Sequence, residues 1–317
     1  MKLSVDIIVI NWNSGAQLLD MISSIGRFHD NLVESLIIVD NASKDGSLAH
    51  VKTMAASLPF RVQIVRNEEN LGFGAACNQG ARLATADLLL FLNPDACLFE
   101  GSLERPLNFL RDPINSNVGV AGIQLVGEGG EIARSCSRFP TLAVFIAQAI
   151  GLNRLSAFSA MSTHMSEWAH DSTRDVDHVI GAFYLMRRAL FDSLGGFDER
   201  FFVYLEDLDL SLRVRQAGYR SVYIADVRAF HAGGGTSRQI KAHRLFYSLR
   251  SRLLYGFKHF NPLQAWVLVF LTMCIEPLTR TVFSLLSDGW SGVRNTWQAY
   301  GMLFGDFASI LRKAGDT

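Results

Sequence analysis

The chain has 317 residues, of which 49% are hydrophobic, and its 30 Lys and Arg balance its 30 Asp and Glu. This length suits one large domain, or one domain with an appendage, and a net charge of zero gives no global signal for nucleic-acid binding. The four cysteines are scattered without a CxxC spacing, which excludes a zinc ribbon or a disulfide framework and fits a reducing cytoplasm.

The first half of the chain alternates apolar runs with helical patterns. Strands are predicted at residues 5–10, 35–40, 60–65 and 87–92, and helices after Gly15, from about Ser47 and over residues 74–84. Continuous apolar strands that alternate with helices are typical of a parallel sheet covered on both faces. We therefore expect an α/β fold with a mostly parallel central sheet flanked by helices.

The second half is less regular. Residues 141–177 are expected to form an inserted region with some helix. A strand at residues 178–188, a short helix at 189–197 and a helix at 206–218 are predicted next, followed by strand material that ends at His231. From Ser237 onward the pattern is helical. We expect no signal peptide, because Asp6 interrupts the short apolar run at the N-terminus.

Polar side chains follow each of the first four predicted strands. Parallel sheets bind their ligands at the carboxyl ends of their strands, so these residues are candidates for a binding site. Any single one could instead cap a helix or shape a turn, and that is what we expect of Ser43, Asp45 and Asn67. The strand-end residues are Asn11, Asn13, Asp40, Asn41, Arg66, Asn67, Asn93 and Asp95.

The segment Gly72-Phe73-Gly74 follows a strand and opens a helix, as a dinucleotide-binding loop does. Cys77 replaces the third glycine of that pattern, and Asp87 precedes the next strand instead of ending it. A lone GxG is weak evidence for a dinucleotide site. We interpret these glycines as a loop that turns tightly or passes close to a ligand.

Taken together, these motifs resemble those of family-2 glycosyltransferases with the GT-A fold, and their order is similar to the bacterial rhamnosyltransferase-like branch. The resemblance covers residues 3–240 and implies a glycosyltransferase domain at 1–240 with a helical, membrane-associating tail at 241–317. The segment from Ser137 to Leu155 is similar to enzymes that add L-rhamnose to a lipid-linked N-acetylglucosamine. The matching stretches are IVINWNSG, VDNASKDGS, NLGFGAACNQG, FLNPDA, the segment from Gly181 to Tyr219, and HAGGGTS.

The resemblance implies a divalent cation, Mn²⁺ or Mg²⁺, beside the donor's diphosphate. The family carries a DxD motif after its fourth strand, and here Asp95 matches the second Asp while Asn93 replaces the first. His231 matches a histidine that completes the metal site in some relatives, although a strand-end histidine can also serve packing alone. Mixed carboxylate and imidazole ligation favours Mn²⁺ over Ca²⁺.

The resemblance also implies the remaining site residues. Asp207, in the family's ED motif, would be the catalytic base that takes the proton of the acceptor hydroxyl during an inverting displacement. An acidic residue at the start of a helix is also explained by the helix dipole, and Phe183 by core packing. The expected substrate-binding residues are Ile10, Asn11, Asp40, Arg66, Gly72, Asn93, Gly181, Ala182, Phe183 and Glu206.

The C-terminal part combines a basic stretch with an apolar one. Residues 228–260 contain seven Lys or Arg and no Asp or Glu, with aromatic residues between them. The stretch is either a solvated helix face or a surface for anionic headgroups and for the pyrophosphate of a polyprenyl-linked acceptor. The following tract, residues 265–286, is interrupted by Glu276, Pro277 and Arg280, and no segment reaches the ~20 apolar residues of a spanning helix. It is either a buried core helix or a helix pair in a membrane surface.

The leading hypothesis is therefore a cytoplasmic enzyme, peripherally associated with the inner membrane, that transfers L-rhamnose from dTDP-L-rhamnose. Its acceptor would be a hydroxyl of a polyprenyl-pyrophosphate-linked glycan or a polysaccharide in cell-surface glycan synthesis. The same chemistry with UDP-galactofuranose or UDP-N-acetylglucosamine is one alternative. A nucleotide-sugar-binding protein without catalysis is another, because the DxD motif is incomplete.

Overall fold

The computed structural model describes residues 4–152, 162–233 and 241–315 of the chain. The protein forms two compact units. The first comprises Met1–Arg138, Trp168–Glu199 and Glu206–Thr236, and the second comprises Phe139–Glu167, Arg200–Leu205 and Ser237–Thr317. The predicted domain boundary at residue 240 lies outside the described residues and remains a prediction.

The first unit is built on strands. One mixed sheet holds nine of the described strands in the order β3-β2-β1-β4-β10-β6-β11-β5, with β8 paired to β11, and β7 pairs with β9 separately. The described strands are β1 (Val5–Asn11), β2 (Val33–Asp40), β3 (Arg61–Arg66), β4 (Leu88–Leu92), β5 (Ala96–Leu98), β6 (Val118–Val126), β7 (Cys136–Ser137), β8 (Arg174–Val176), β9 (His178–Val179), β10 (Phe183–Arg187) and β11 (Arg220–His231).

The direction of the strands fixes where the polar ends meet. β3, β2, β1 and β4 form a parallel block, so their carboxyl ends lie at one edge of the sheet. β10 lies between β4 and β6 and is antiparallel to both, while β11 runs parallel to β6. β1 and β6 are buried along their whole length, as expected of strands covered on both faces. The predicted α/β fold is confirmed.

Helices cover this sheet and make up the second unit. The sheet's helices lie in the first unit, and α5, α8, α9 and α10 in the second. The described helices are α1 (Gln17–Phe28), α2 (Val51–Ala55), α3 (Phe73–Ala81), α4 (Glu104–Arg111), α5 (Leu142–Ala149), α6 (Arg188–Ser193), α7 (Glu206–Gln216), α8 (Lys241–His259), α9 (Pro262–Phe270) and α10 (Glu276–Gly315).

The sheet differs from the prediction in several strands: β5, β6 and β8 were not predicted, and one predicted strand is broken. The strand expected at residues 178–188 is two strands, β9 and β10, with a break between them where Gly181 turns its N–H out of the sheet toward a carboxylate. β6, a central strand, was not predicted at all, because glycine lowers strand propensity. Gly122 is required there, since a Cβ at this position would lie 2.8 Å from Val179.

The second unit confirms the predicted helical tail. α9 begins at the cap Asn261, whose side chain accepts from Gln264 N at 2.9 Å, and Pro262 stands in its first turn. A π-helical turn, Leu271–Ile275, joins α9 to α10. Gly289, at φ 63°, breaks α10 into two helical parts.

The basic stretch supplies the interior of the second unit as well as its surface. Arg252 pairs with Glu276 at 2.5 Å, Arg280 pairs with the same carboxylate at 2.7 Å, and Arg250 pairs with Asp306 at 2.8 Å. Arg250 and Arg252 are each 6% exposed. The expectation that the whole stretch is a solvated or headgroup-binding face is therefore wrong for these two. Their carboxylate partners arrive from α10, which the local sequence pattern could not indicate.

One face of α9 and α10 carries large apolar side chains in contact with solvent. The sequence predicted no segment long and apolar enough to span a membrane, but by length and composition alone the helical run Pro262–Gly315 could cross one. In this run, 28% of the most apolar window is buried. Up to Gly289, spacings of three and four residues place the exposed side chains on one side of each helix, and Trp290 directly follows the break in α10. This apolar face consists of Leu263, Trp266, Phe270, Leu278, Val282, Leu286 and Trp290, each more than half exposed.

Candidate active site

The carboxyl ends of β1 and β2 hold a buried polar network. Asn11 donates from Nδ2 to Asp40 Oδ1 at 2.7 Å and to Ser47 Oγ at 2.8 Å. Asn11 Oδ1 is buried and has no hydrogen-bond partner in the part of the chain that the structure describes. A buried acceptor without a donor is costly, so this oxygen calls for an N–H or hydroxyl supplied by a ligand or by water.

Other predicted donor-binding residues lie at the same edge of the sheet. Asn11, Asp40 and Arg66 are in register across β1, β2 and β3, and Arg66 is exposed. The side chain of Ile10 is only 7% exposed and packs within the sheet. Gly72 directly precedes α3 at φ 90°, a conformation that favours glycine, and its carbonyl accepts from Asn41 Nδ2 at 3.0 Å. The structure thus brings Asn11, Asp40 and Arg66 together at one edge.

Three nearby residues have the loop roles that the sequence predicted. Ser43 Oγ accepts from Asn13 N at 3.0 Å, and Asp45 accepts from Gly15 N at 2.7 Å. Asn67 donates from Nδ2 to Asn41 Oδ1 at 2.8 Å. These bonds fix the loops around the strand ends.

The end of β4 meets the end of β11. His231 Nε2 lies 3.3 Å from Asp95 Oδ1, and Asn93 Nδ2 lies 3.4 Å from the same ring nitrogen. Ala232 N donates to the Asp95 carbonyl at 3.1 Å, which holds the two strand ends together. The structure therefore brings together Asn93, Asp95 and His231, which are 138 residues apart at the extremes.

These residues fit a partial metal site. Neighbouring ligands of an octahedral ion with bonds of about 2.1 Å lie about 3 Å apart, close to the spacing of the Asp95 and His231 atoms. The amide of Asn93 can present its oxygen when the group is turned over. No group of three or more His, Cys, Asp or Glu among the described residues could hold a metal by itself. The remaining ligands would have to come from a bound substrate or water.

A short hydrogen-bonded path links this corner to the start of α7. Asn93 N donates to the Ala182 carbonyl at 3.1 Å, and the adjacent Gly181 N donates to Asp207 Oδ2 at 2.8 Å. Ala182 and Phe183 are themselves buried in the core. The Asn93–Asp95 segment and the Asp207 carboxylate are therefore both held by the backbone of residues 181–182.

Asp207 is held as a carboxylate. Its side chain is 18% exposed, Leu208 N donates to Oδ1 at 2.8 Å, and His178 Nε2 lies 3.5 Å from Oδ2. Burial alone would raise the pKa of Asp207. The influence of His178 and the N–H groups of Gly181 and Leu208 outweigh burial and lower the pKa below its usual value. Asp207 is therefore ionised and ready to accept a proton at neutral pH.

The pKa of the neighbouring Glu206 is shifted in the opposite direction. It is 5% exposed, and its Oε2 is buried without a hydrogen-bond partner among the described residues. Burial, reinforced by the charge of Asp207, holds the pKa of Glu206 well above its usual range. Tyr204 and Leu205, directly before α7, have φ values of 68° and 66°. Such strain in non-glycine residues costs about 1–3 kcal/mol each and is concentrated at functional sites.

His178 was not singled out in the sequence. It is 3% exposed, and its Nδ1 lies 2.9 Å from Ser211 Oγ, one turn beyond Asp207 on α7. A histidine that opens a strand otherwise made of apolar residues was the one available signal. That signal does not say which carboxylate the ring will meet.

Comparisons with proteins of known sequence agree with this geometry. The chain is 28% identical over 238 residues to an N-acetylglucosaminyl-diphospho-decaprenol L-rhamnosyltransferase of Mycobacterium tuberculosis, covering 71% of this chain and 75% of the relative. It is also 28% identical over 177 residues to the rhamnosyltransferase WbbL of Escherichia coli, covering 55% of this chain and 63% of the relative.

Solved structures show the same fold. The mannosyltransferase PcManGT from Pyrobaculum calidifontis, in complex with GDP-Man and Mn²⁺, matches with a TM-score of 0.55 at 18% identity, covering 96% of this chain and 79% of that one. Staphylococcus aureus TarS 1-349 matches with a TM-score of 0.52 at 13% identity, covering 94% and 91%. The fold is therefore GT-A. The model of glycosyl transferase family 2 matches residues 6–195, and the chain belongs to that family.

Proposed function

We propose that this protein is a metal-dependent, inverting glycosyltransferase that moves L-rhamnose from dTDP-L-rhamnose to a hydroxyl of a lipid-linked glycan. The observation that carries the proposal is the backbone of residues 181–182, which binds the segment bearing Asp95 and also the Asp207 carboxylate. Sugar transfer from a nucleotide donor requires a metal ligand beside the diphosphate, here Asp95, and a base beside the acceptor hydroxyl, here Asp207.

The relatives support the choice of sugar and acceptor. The Mycobacterium tuberculosis relative is described as acting with L-rhamnose on an N-acetylglucosaminyl-diphospho-decaprenol, and the Escherichia coli relative is a rhamnosyltransferase. We extend that chemistry to this chain, with a polyprenyl-diphosphate-linked acceptor and a place in cell-surface glycan synthesis.

In the proposed reaction, Asp207 acts as the base. The acceptor hydroxyl gives its proton to the carboxylate while its oxygen attacks the anomeric carbon, and the bond to the nucleotide diphosphate breaks. A single displacement inverts the anomeric centre and needs no second carboxylate as nucleophile. The lowered pKa of Asp207 keeps it unprotonated for this role, and the Gly181 N–H orients the oxygen.

Asp95 and His231 would hold the cation, with Asn93 offering an amide oxygen. A divalent cation supplies charge neutralisation for the diphosphate that departs. The donor would lie along the strand ends, with Asn11 and Asp40 accepting hydrogen bonds from its base or ribose. Arg66 and the Gly72 loop would flank it. Ile10 and the residues 181–183 would then line the site chiefly through their backbone, because the side chains of Ile10, Ala182 and Phe183 are buried.

The assay is transfer from dTDP-L-rhamnose, UDP-galactofuranose and UDP-N-acetylglucosamine to a synthetic polyprenyl-diphosphate N-acetylglucosamine, with and without Mn²⁺. Wild type should turn over the rhamnosyl donor only with the cation. Asp207→Asn should abolish transfer and leave the thermal shift given by the donor unchanged, since bound donor stabilises the fold by mass action. Turnover by Asp207→Asn would show that Asp207 is not the catalytic base. Binding of a donor without turnover by wild type would favour a non-catalytic nucleotide-sugar-binding protein.

We further propose that the protein works at the inner face of the cytoplasmic membrane. The support is the apolar face of α9 and α10, with tryptophans of the kind that anchor helices at a lipid interface. A lipid-linked acceptor would be reached from such a surface. The protein should float with vesicles of phosphatidylglycerol and phosphatidylethanolamine, and Leu286→Asp with Trp290→Asp should remain in solution. Ile114→Asp, which replaces an apolar residue 79% exposed on the first unit, is the control. Equal flotation of the double variant and wild type would contradict this placement.

A further inference from the structure

A chain of buried hydroxyls leads away from the base. His178 Nε2 lies 3.5 Å from Asp207 Oδ2, and its other ring nitrogen lies 2.9 Å from Ser211 Oγ. Ser211 Oγ is in turn 3.0 Å from the Tyr184 hydroxyl. Ser211 and Tyr184 are fully buried, and the side chain of His178 is 4% exposed. Three buried polar groups therefore line up behind one carboxylate.

The donors along this chain can all point the same way. Tyr184 O–H can donate to Ser211 Oγ, Ser211 O–H to His178 Nδ1, and His178 Nε2–H to Asp207 Oδ2. Burial raises the pKa of the Tyr184 phenol, so its proton stays in place. Ser211, His178 and Asp207 then each accept one hydrogen bond along the chain, and the last donor, His178 Nε2–H, points at the Asp207 carboxylate. The hydroxyls of Ser211 and Tyr184 thus favour the ring tautomer whose N–H faces Asp207.

We propose that His178 is a positioning residue for the base, and that Ser211 and Tyr184 hold its ring in the tautomer that donates to Asp207. This rests on the proposed role of Asp207. Without His178, Oδ2 would keep one donor, the Gly181 N–H, and the carboxylate could turn about its own side-chain torsion. With it, both the rotamer and the charge of Asp207 are fixed before any substrate binds.

The surroundings of His178 leave Asp207 as its main electrostatic partner. On α7, Asp209 is paired with Arg213 at 2.8 Å. On β7 the residue opposite His178 is Ser137. Burial raises the pKa of the Cys136 thiol on β7 and of the Tyr223 phenol on β11, so both of these groups on the strands packed against β9 stay neutral. β6 has no titratable side chain. The next residue, Asp177, pairs with Arg215 at 2.8 Å.

The test compares two amides at one position. In His178→Gln the amide nitrogen takes the place of Nε2 and still donates toward Asp207. In His178→Asn the amide nitrogen takes the place of Nδ1, so Asp207 loses the N–H donor that His178 supplied. The carboxyl ¹³C resonance of Asp207, identified by its loss in Asp207→Asn, is titrated in each protein without substrate. The midpoint should rise by about one pH unit in His178→Asn and by less in His178→Gln. Ser211→Ala should lower kcat for rhamnosyl transfer, by less than His178→Asn does, because the ring is then free to change tautomer.

His29 provides the matched control. It is 1% exposed in the same unit and its Nε2 lies 2.8 Å from the Phe99 carbonyl, so His29→Asn also removes a buried, hydrogen-bonded imidazole. The Asp207 midpoint should not change in His29→Asn. An equal midpoint in wild type and His178→Asn would overturn the role of His178, and a wild-type kcat in Ser211→Ala would overturn that of Ser211.

Rates separate this inference from the proposed function. With dTDP-L-rhamnose, kcat should fall about tenfold or more in His178→Asn, recover in His178→Gln, and leave the donor KM unchanged. If Asp207→Asn keeps wild-type turnover, the base assignment fails although the titration result stands. If Asp207→Asn is inactive while His178→Asn has normal kcat and an unshifted midpoint, only the role of His178 fails.

Discussion

Replacing Gly181 by alanine should disturb the base without unfolding the protein. A Cβ at this position would lie 3.1 Å from Asp207 Oδ2, and 3.7 Å from Asp207 Cβ. Gly181 is not among the glycines with positive φ, so its backbone accepts alanine without strain. The added methyl group therefore acts on one neighbour, the oxygen that receives the Gly181 N–H at 2.8 Å.

The size of the effect follows from that contact. Ordinary van der Waals contact begins at 3.4 Å, so the oxygen must move by a few tenths of an ångström. That displacement weakens its charge-assisted hydrogen bond, which is worth about 1.5–3 kcal/mol in full. Losing about 1.4 kcal/mol of it in the transition state lowers kcat about tenfold. The carboxylate is 18% exposed and can yield toward solvent, so the free energy of unfolding should fall by no more than about 1 kcal/mol.

The assay is kcat and KM for rhamnosyl transfer, with urea unfolding measured on the same samples. Gly301→Ala is the control, because nothing lies within 4 Å of the added Cβ and it stands within α10. That substitution should leave kcat unchanged and stabilise the helix by about 0.5–1 kcal/mol. A wild-type kcat in Gly181→Ala would refute the reasoning, because the methyl group cannot enter without moving the oxygen.

Three further predictions concern charges. Glu276→Gln should lower the free energy of unfolding in urea by about 3 kcal/mol or more, because Arg252 and Arg280 lose the buried carboxylate that they share. Glu206 has a raised pKa, so the folded state binds its proton more tightly than the unfolded state, and wild type loses stability as pH rises from about 4.3. Glu206→Gln should remove this loss, so its stability relative to wild type should increase between pH 4 and 7 in thermal melts. His231→Ala should weaken Mn²⁺ binding in the presence of dTDP by about tenfold or more, measured by calorimetry.

The parallel block of the sheet could be predicted because its signal is local. β1, β2 and β4 each contain an apolar run with a polar residue directly after it, and the rule for parallel strands places those polar residues at one edge. Asn11, Asp40 and Arg66 are in register as that rule requires. β6 could not be predicted in the same way. Gly122 satisfies a packing requirement of Val179, a residue distant in sequence, and Gly119 one of Leu190 and Val214.

The candidate site shows the same contrast between residues that a sequence motif identifies and contacts that depend on distant parts of the chain. Asp95 and His231 were paired by resemblance, and the structure puts them 3.3 Å apart. Their contact depends on β5 and β11 pairing across the sheet, which no local pattern contains. His178 was missed for a related reason: its partner, Asp207, enters from α7, and the ring is buried between two elements whose packing angle the sequence does not specify.

Asn93 gives the proposed metal site a particular dependence on substrate. One carboxylate and one neutral imidazole contribute a single negative charge, and an amide oxygen adds none. Because the described residues contain no group of three acidic, histidine or cysteine ligands, a divalent cation would gain much of its coordination and charge balance from the donor's diphosphate. Cation and donor would then each raise the affinity for the other by the same factor. The replacement of the first aspartate of the DxD motif by Asn93 is thus compatible with catalysis, because the donor's diphosphate would supply the negative charge and ligand atoms that the aspartate would have provided.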